Sequence, residues 1–284
     1  MNQSAQSVLA LFIEALKRLF ADEAVPLAGN IAFRTMFSIF PFLIFVTSLA
    51  GFFGSEDLAQ RIIAFLLSVA PEQLVHPLSG EIMAILTVQH GGLVSLSAAL
   101  TIWSAMGGVD SIRVALNRAY DIKEHRSIWF LNVQNVLFVI GAAIVLLVVA
   151  ILLVVFPLFV AALTQFAPDQ LINFTSLVSS FDFLRYPVAI GLLMIALLVA
   201  HQFLPARTTP ILRLLPGIVL TIIVWVVLSG MFSLWLSRFN SFTTTYASLS
   251  GIFAAMFFLY LAALVLIFGG EFNRVLMEIR KSRA

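Results

Sequence analysis

The chain has 284 residues, of which 61% are hydrophobic and 11% charged, with a net charge of +2 and no cysteine. Soluble domains average roughly 45–50% apolar and about 25% charged residues, so these charges are too few to coat a water-facing surface of this size. That excludes a soluble enzyme, a disordered tail and a disulfide-stapled secreted fold; it removes cysteine chemistry, and the small net charge gives no case for nucleic acid as a partner.

Residues 8–20 come first in the chain. Leu9, Phe12, Ile13, Leu16, Leu19 and Phe20 share one helical face, with Glu14, Lys17 and Arg18 opposite. This pattern predicts an amphipathic helix lying at a membrane surface or packed on the protein itself. No cleavable leader is expected, because the first long apolar run begins near residue 31, after a charged segment.

A helix needs about 20 apolar residues to cross a bilayer. Six stretches meet that requirement, at about 31–53, 91–109, 129–156, 186–204, 212–236 and 247–269. Ser95, Ser97, Thr101 and Ser104 make the second the most polar. Between the first two spans, residues 54–90 carry two amphipathic runs split by Pro71, expected to cap the outer face or to dip into the bilayer. The predicted fold is all-α, a single polytopic membrane domain over 1–284 with six transmembrane helices and amphipathic interfacial or outer helices.

Cation placement sets the expected orientation. Lys17, Arg18, Arg113, Arg118, Lys123, Arg126, Arg207, Arg213, Arg274, Arg280, Lys281 and Arg283 fall on the side of the termini, whereas Arg61, Arg185 and Arg238 fall on the other. By the positive-inside rule both termini are cytoplasmic. The sixteenth cation, Arg34, sits within the first span about a turn from its cytoplasmic end. It is expected either to snorkel or to serve as a buried cation for an anionic headgroup, a substrate or a carboxylate, with Glu271 the first candidate partner and Asp110 the second. Pro41 removes a helix hydrogen bond near mid-membrane and predicts a kink. Gly251, Ala254 and Ala255 suit close packing of the sixth span.

Enzymatic arrangements are missing from the sequence. His76, His90, His125 and His201 have no metal-ligand spacing and read as interfacial or surface residues. There is no nucleophile elbow and no phosphate-binding Gly-rich loop. No catalytic activity, cofactor or metal is expected.

The run Gly29-Asn30-Ile31-Ala32-Phe33, with Ser38-Ile39-Phe40-Pro41-Phe42, resembles the first span of the YihY/BrkB family, bacterial inner-membrane proteins historically labelled ribonuclease BN. Trp103-Ser104, Gly107-Gly108 and Ala115 to Tyr120 agree with it, as do Leu204-Pro205, Leu215-Pro216-Gly217 and Trp225. So do Tyr246 to Leu249, Tyr260-Leu261 and Gly269-Gly270-Glu271-Phe272-Asn273. The resemblance implies a six-span inner-membrane protein and a role in transport of envelope lipid or lipopolysaccharide precursors.

Most of these blocks fall at the cytoplasmic ends of the spans. The expected function is transport or flipping of an anionic lipid-like amphiphile, with Arg34, Asn30, Asn117, Arg118 and Glu271 at the mouth of a cytoplasm-facing cavity and Pro41 as kink or hinge. The alternative is a non-transporting scaffold for envelope proteins. Expected partners are membrane lipids, anionic ones first, and envelope proteins or further copies of the chain. No ATP-binding motif is present, so uphill transport would draw on an ion gradient or a partner.

Overall fold

The computed structural model of the chain describes residues 3–53, 91–157, 183–238 and 243–282, with a few isolated positions between 54 and 90. Over the described residues the fold is all-α. The helices are α1 Gln3–Ala21, α2 Ala24–Phe53, α3 Gly91–Ala119, α4 Ile128–Ala150, α5 Arg185–Phe203, α6 Ile211–Arg238 and α7 Thr243–Ser282, with a π turn at Ile151–Val155. The amphipathic runs predicted at 54–90 lie almost wholly outside the described residues.

The apolar stripe of α1 divides between two surroundings. Phe12 packs against Phe268 and Phe272 of α7, with ring centroids 6.2 and 5.1 Å apart, and Ala15 and Leu19 are buried. Leu9, Ile13, Leu16 and Phe20 stay exposed on the other side. One face therefore anchors α1 to the bundle, and the other is left apolar and outward, as a helix at a membrane surface requires. The chain then reverses at Asp22-Glu23, with Glu23 in the left-handed region at φ 59°.

Three helices outrun the apolar stretches that predict them. α2 begins at Ala24 because Ala24 and Ala28 are buried against α1, α3 and α7, so helix forms before the hydropathy rises. α3 continues ten residues past its apolar run, through the buried Ala115, Leu116 and Ala119. α7 has 40 residues, about 60 Å at 1.5 Å per residue, about twice a hydrocarbon core of about 30 Å. α2 continues as helix through Pro41.

Five helices, α2, α4, α5, α6 and α7, contain segments long and apolar enough to cross a membrane. α3, the expected second span, has the length but is more polar. Its hydroxyls are satisfied locally: Ser97 donates to the Val94 carbonyl, Thr101 to Ser97, Ser104 to Leu100 and Ser111 to Gly107, at 2.7–3.2 Å. Hydroxyls bonded back to their own helix are tolerable in an apolar setting. α3 forms the most extensive pairing of the fold, with α2.

Two buried clusters meet on α3 and α7. One joins Leu19, Ala24, Ala28, Ile31, Ala115, Ala119, Ala263 and Ile267; the other joins Leu116, Tyr120, Leu197, Leu204, Leu214, Ile218, Ile222 and Leu266. α6 and α7 cross backbone against backbone at Gly217 and Gly269. The sequence reading put close packing at Gly251 instead. Among the described residues a methyl group at Gly251 would meet nothing within 4 Å, so no close crossing is seen there.

Candidate functional site

A cavity of about 480 Å³ opens where α2, α3 and α4 meet. α2 supplies Phe33, Arg34 and Phe37, which share one face, and the Phe33 and Phe37 rings stack at 6.2 Å. α3 supplies Trp103, Ser104, Gly107 and Asp110, and α4 supplies Asn132 and Asn135 one turn apart. Trp103 is 68% exposed and Phe33 58% exposed, so aromatic surface forms an open rim around a polar floor.

Arg34 lies ten residues into α2, about 15 Å along the helix from Ala24. One guanidinium nitrogen donates to the Gly107 carbonyl at 3.3 Å, and Gly107 is where the side chain needs room, since a Cβ there would lie 3.1 Å from that nitrogen. No carboxylate pairs with Arg34 among the described residues. Asp110 lines the same cavity but is paired with Arg113. On the α4 side Asn135 is 3% exposed, and its Oδ1 has no hydrogen-bond partner. A buried unpaired carbonyl costs roughly 1–3 kcal/mol, so this floor has unused acceptor capacity beside an uncompensated cation.

The expected partner of Arg34, Glu271, sits elsewhere and is not paired with it. Glu271 is fully buried in α7, near Asp22 of the α1–α2 turn, Arg274 and Tyr120. Asn273, also fully buried, holds three elements together. Its Oδ1 accepts from the Gly217 backbone N–H at 2.7 Å, and its Nδ2 donates to the Leu214 carbonyl at 2.8 Å and to the Tyr120 hydroxyl at 3.2 Å. The Tyr120 hydroxyl lies 2.7 Å from Nδ1 of His201. Tyr120 therefore bridges the Asn273 amide and the His201 ring in one buried chain of hydrogen bonds. Burial raises the Tyr120 hydroxyl far above the ordinary phenol range, so it remains a donor. His201, read from sequence as an interfacial or surface residue, is 1% exposed; this is a correction, caused by a tyrosine that only folding brings opposite it.

The charged end of the bundle is tied by two groups of ion pairs. Arg274 meets Asp22 at 2.8 Å, Asp121 at 3.3 Å and Glu278 at 3.3 Å, joining the ends of α1 and α3 to α7. Arg118, exposed, faces Asp22 at 3.7 Å. Asn117 is buried: its Oδ1 accepts from the Ala206 backbone N–H and its Nδ2 donates to Glu124. Arg126 binds Glu124 and caps α5 by donating to the Phe203 and Leu204 carbonyls, with Gln134 also donating to Phe203.

Of the residues expected to share one mouth, only Arg34 lines the cavity. Asn30 is exposed one turn earlier on α2, Asn117 and Arg118 belong to the ties around the helix ends, and Glu271 is fully buried in α7 with neither carboxylate oxygen hydrogen-bonded among the described residues. Of the wall residues, Phe33 and Trp103 lie within the family-like motifs, whereas Phe37 carried no sequence signal. Asn132 and Asn135 were the missed signal, two amides three apart at the start of an otherwise apolar stretch.

Arg126 draws the Glu124 carboxyl down from 4.5 to about 2, chiefly through its hydrogen bonds. A depressed carboxyl contributes stability that is present above pH 4.5 and is lost as pH falls from there through about 2. Glu124→Gln should therefore lower stability at neutral pH, where this contribution is fully present, and flatten the acid limb of unfolding between these pH values; partial exposure of the pair keeps the loss modest. An acid titration followed by circular dichroism checks this.

Three comparisons with known proteins bear on the site. A family model described as "Virulence factor BrkB" matches residues 15–284. A Bacillus subtilis (strain 168) protein named as ribonuclease-like, YfkH, is 28% identical over 270 residues, covering 94% of this chain and 96% of that protein. No solved structure matches the chain.

Proposed function

The chain belongs to the virulence factor BrkB family, and from that premise we propose that it is a multi-pass protein of the bacterial inner membrane that binds, and carries across the bilayer, an amphiphile whose anionic headgroup seats against Arg34. One observation carries this reading: an arginine with no ion-pair partner among the described residues, ten residues into an apolar helix, on a polar floor rimmed by exposed aromatics. An arginine at the centre of a membrane helix costs about 2.5–3.5 kcal/mol on insertion scales, and a phosphate or carboxylate headgroup offsets that cost. The cavity, about 480 Å³, suits a headgroup, with acyl chains lying along Phe33, Phe37 and Trp103.

Orientation follows from the cations. With the loops bearing Arg113, Arg118, Lys123, Arg126, Arg207 and Arg213 on the cytoplasmic side, both termini are cytoplasmic and the site opens toward the inner leaflet. The reading is non-enzymatic. The B. subtilis relative is named ribonuclease-like, but RNA cleavage needs positioned acid–base groups or a metal cluster, and the side chains around Arg34 offer a cation, amides, a hydroxyl, aromatic rings and a single carboxylate, Asp110, that is paired with Arg113.

Native mass spectrometry of the full chain, extracted with co-purifying lipid, tests binding. Arg34→Gln should lose about tenfold in retained anionic lipid, the worth of one charge-assisted contact, with Arg34→Lys between the two. Equal retention by Arg34→Gln and the parent chain would refute the site. Flipping of a fluorescent anionic lipid in proteoliposomes tests the transport step, which wild-type protein should accelerate and Arg34→Gln should not.

A further inference from the structure

A second cavity, of about 260 Å³, lies at the charged end of the bundle and shares no lining residue with the one around Arg34. It is bounded by the end of α3, the α5–α6 loop, the first turn of α6 and the last turns of α7. Arg207, Arg213, Arg274 and Lys281 line it, with Thr208 and Thr209 beside them, against the acids Asp121 and Glu278.

The acids do not balance the cations. Asp121 and Glu278 are both bound to Arg274, which also holds Asp22. Arg207, Arg213 and Lys281 have neither an ion pair nor a side-chain hydrogen bond among the described residues. Three exposed cations with no acidic partner among the described residues therefore line one small cavity. Arg213 also sits in the first turn of α6, a 28-residue helix with no acid there, so it adds positive charge to the positive end of the helix dipole. Helix N-termini favour anions; an arginine at that position is unfavourable until an anion joins it.

We infer that this cavity is a binding site for a phosphate-bearing anion, held by Arg207, Arg213 and Lys281 with the Thr208 and Thr209 hydroxyls as further donors. Guanidinium pairs suit phosphate oxygens, and the cavity is the size of a headgroup or a small phosphate compound rather than of a lipid. The site is independent of the proposed lipid seat. Tyr120, which lines it, is also the hydroxyl that bridges Asn273 and His201, so an anion bound here would lie against the tie between α3, α5 and α7.

The test is isothermal titration of the purified full chain in a neutral detergent. It is run in an Arg34→Gln background so that the lipid seat does not contribute. Inorganic phosphate is the first probe; short-chain phosphatidylglycerol, against uncharged short-chain diacylglycerol, is the second. Saturable binding of phosphate assigns the site to a soluble phosphate group, and binding of phosphatidylglycerol alone assigns it to a headgroup. In either case the Arg207→Gln/Arg213→Gln pair should weaken binding by about tenfold or more. Lys17→Gln, which removes an exposed cation on α1 outside the cavity, should leave it unchanged. Binding of neither probe, or an equal loss in Lys17→Gln and the double variant, would overturn the proposal, since bulk surface charge would then account for the signal.

Discussion

Gly217→Ala is expected to lower the unfolding midpoint of the detergent-solubilised protein sharply, although alanine is the better helix former. In an open helix the exchange would gain about 0.5–1 kcal/mol. Here a Cβ would overlap the Gly269 carbonyl oxygen and lie 2.6 Å from Cγ and Nδ2 of Asn273. Neither neighbour is a flexible chain end: one is backbone and the other is held by three hydrogen bonds. Overpacking typically costs 1–3 kcal/mol, and backbone against backbone belongs at about the upper end, so packing outweighs propensity. Gly269→Ala should behave alike, because its Cβ would overlap the Thr221 hydroxyl and lie 2.8 Å from the Gly217 carbonyl. Gly251→Ala is the control, with open space around it and an expected midpoint unchanged or slightly raised. Equal midpoints for Gly217→Ala and Gly251→Ala would show that α6 and α7 do not cross at these glycines.

Asn273→Ala should be nearly as damaging, for a different reason. It removes an acceptor from the Gly217 N–H, and donors from the Leu214 carbonyl and the Tyr120 hydroxyl, in a place that water does not reach. Orphaned buried groups cost about 1–3 kcal/mol each, but some relax, so a total of about 2–4 kcal/mol is expected. Tyr120→Phe should cost less, because it deletes one hydroxyl and leaves the two backbone bonds of Asn273 intact. The two residues share a bond, so the double variant should fall short of the summed losses by roughly 0.5 kcal/mol or more. Thermal unfolding of the three variants measures this coupling; strict additivity would mean that the network does not act as a unit.

Most of the fold's framework was legible in the sequence because a membrane span is a statement about composition. The stretches read as spans fall on helices over nearly all their described residues, and five of those six helices are long and apolar enough to cross a membrane, where about 20 apolar residues have no other way to satisfy their backbone. The ends of those helices were less legible. Ala24, Ala115 and Ala119 carry little hydropathy signal, yet each is buried against another helix, and burial rather than hydropathy extends α2 and α3.

The candidate site was legible in one residue. Arg34 stands out in sequence because a charge within an apolar run is expensive, and the fold places it in a cavity. Its neighbours were not deducible. Glu271 looked like a partner because both residues were assigned to the same end of the bundle, but shared depth does not fix the angular position of a residue around its helix. The cluster of charges that closes on Arg274 draws on the α1–α2 turn, the end of α3 and α7, separated by as many as 252 residues in sequence.

Composition by itself determined that the solvent is largely lipid and the fold helical, and it singled out Arg34, because transfer cost depends on residue type and run length alone. Which residues face one another was decided by tertiary structure. The Gly217–Gly269 crossing, the Asn273–Tyr120–His201 tie, the cavity of Arg34 with Asn132 and Asn135, and the unbalanced cations around Arg207 all depend on how the helices are rotated and set against one another. That geometry comes from close packing between distant segments, which no local pattern of hydrophobicity encodes.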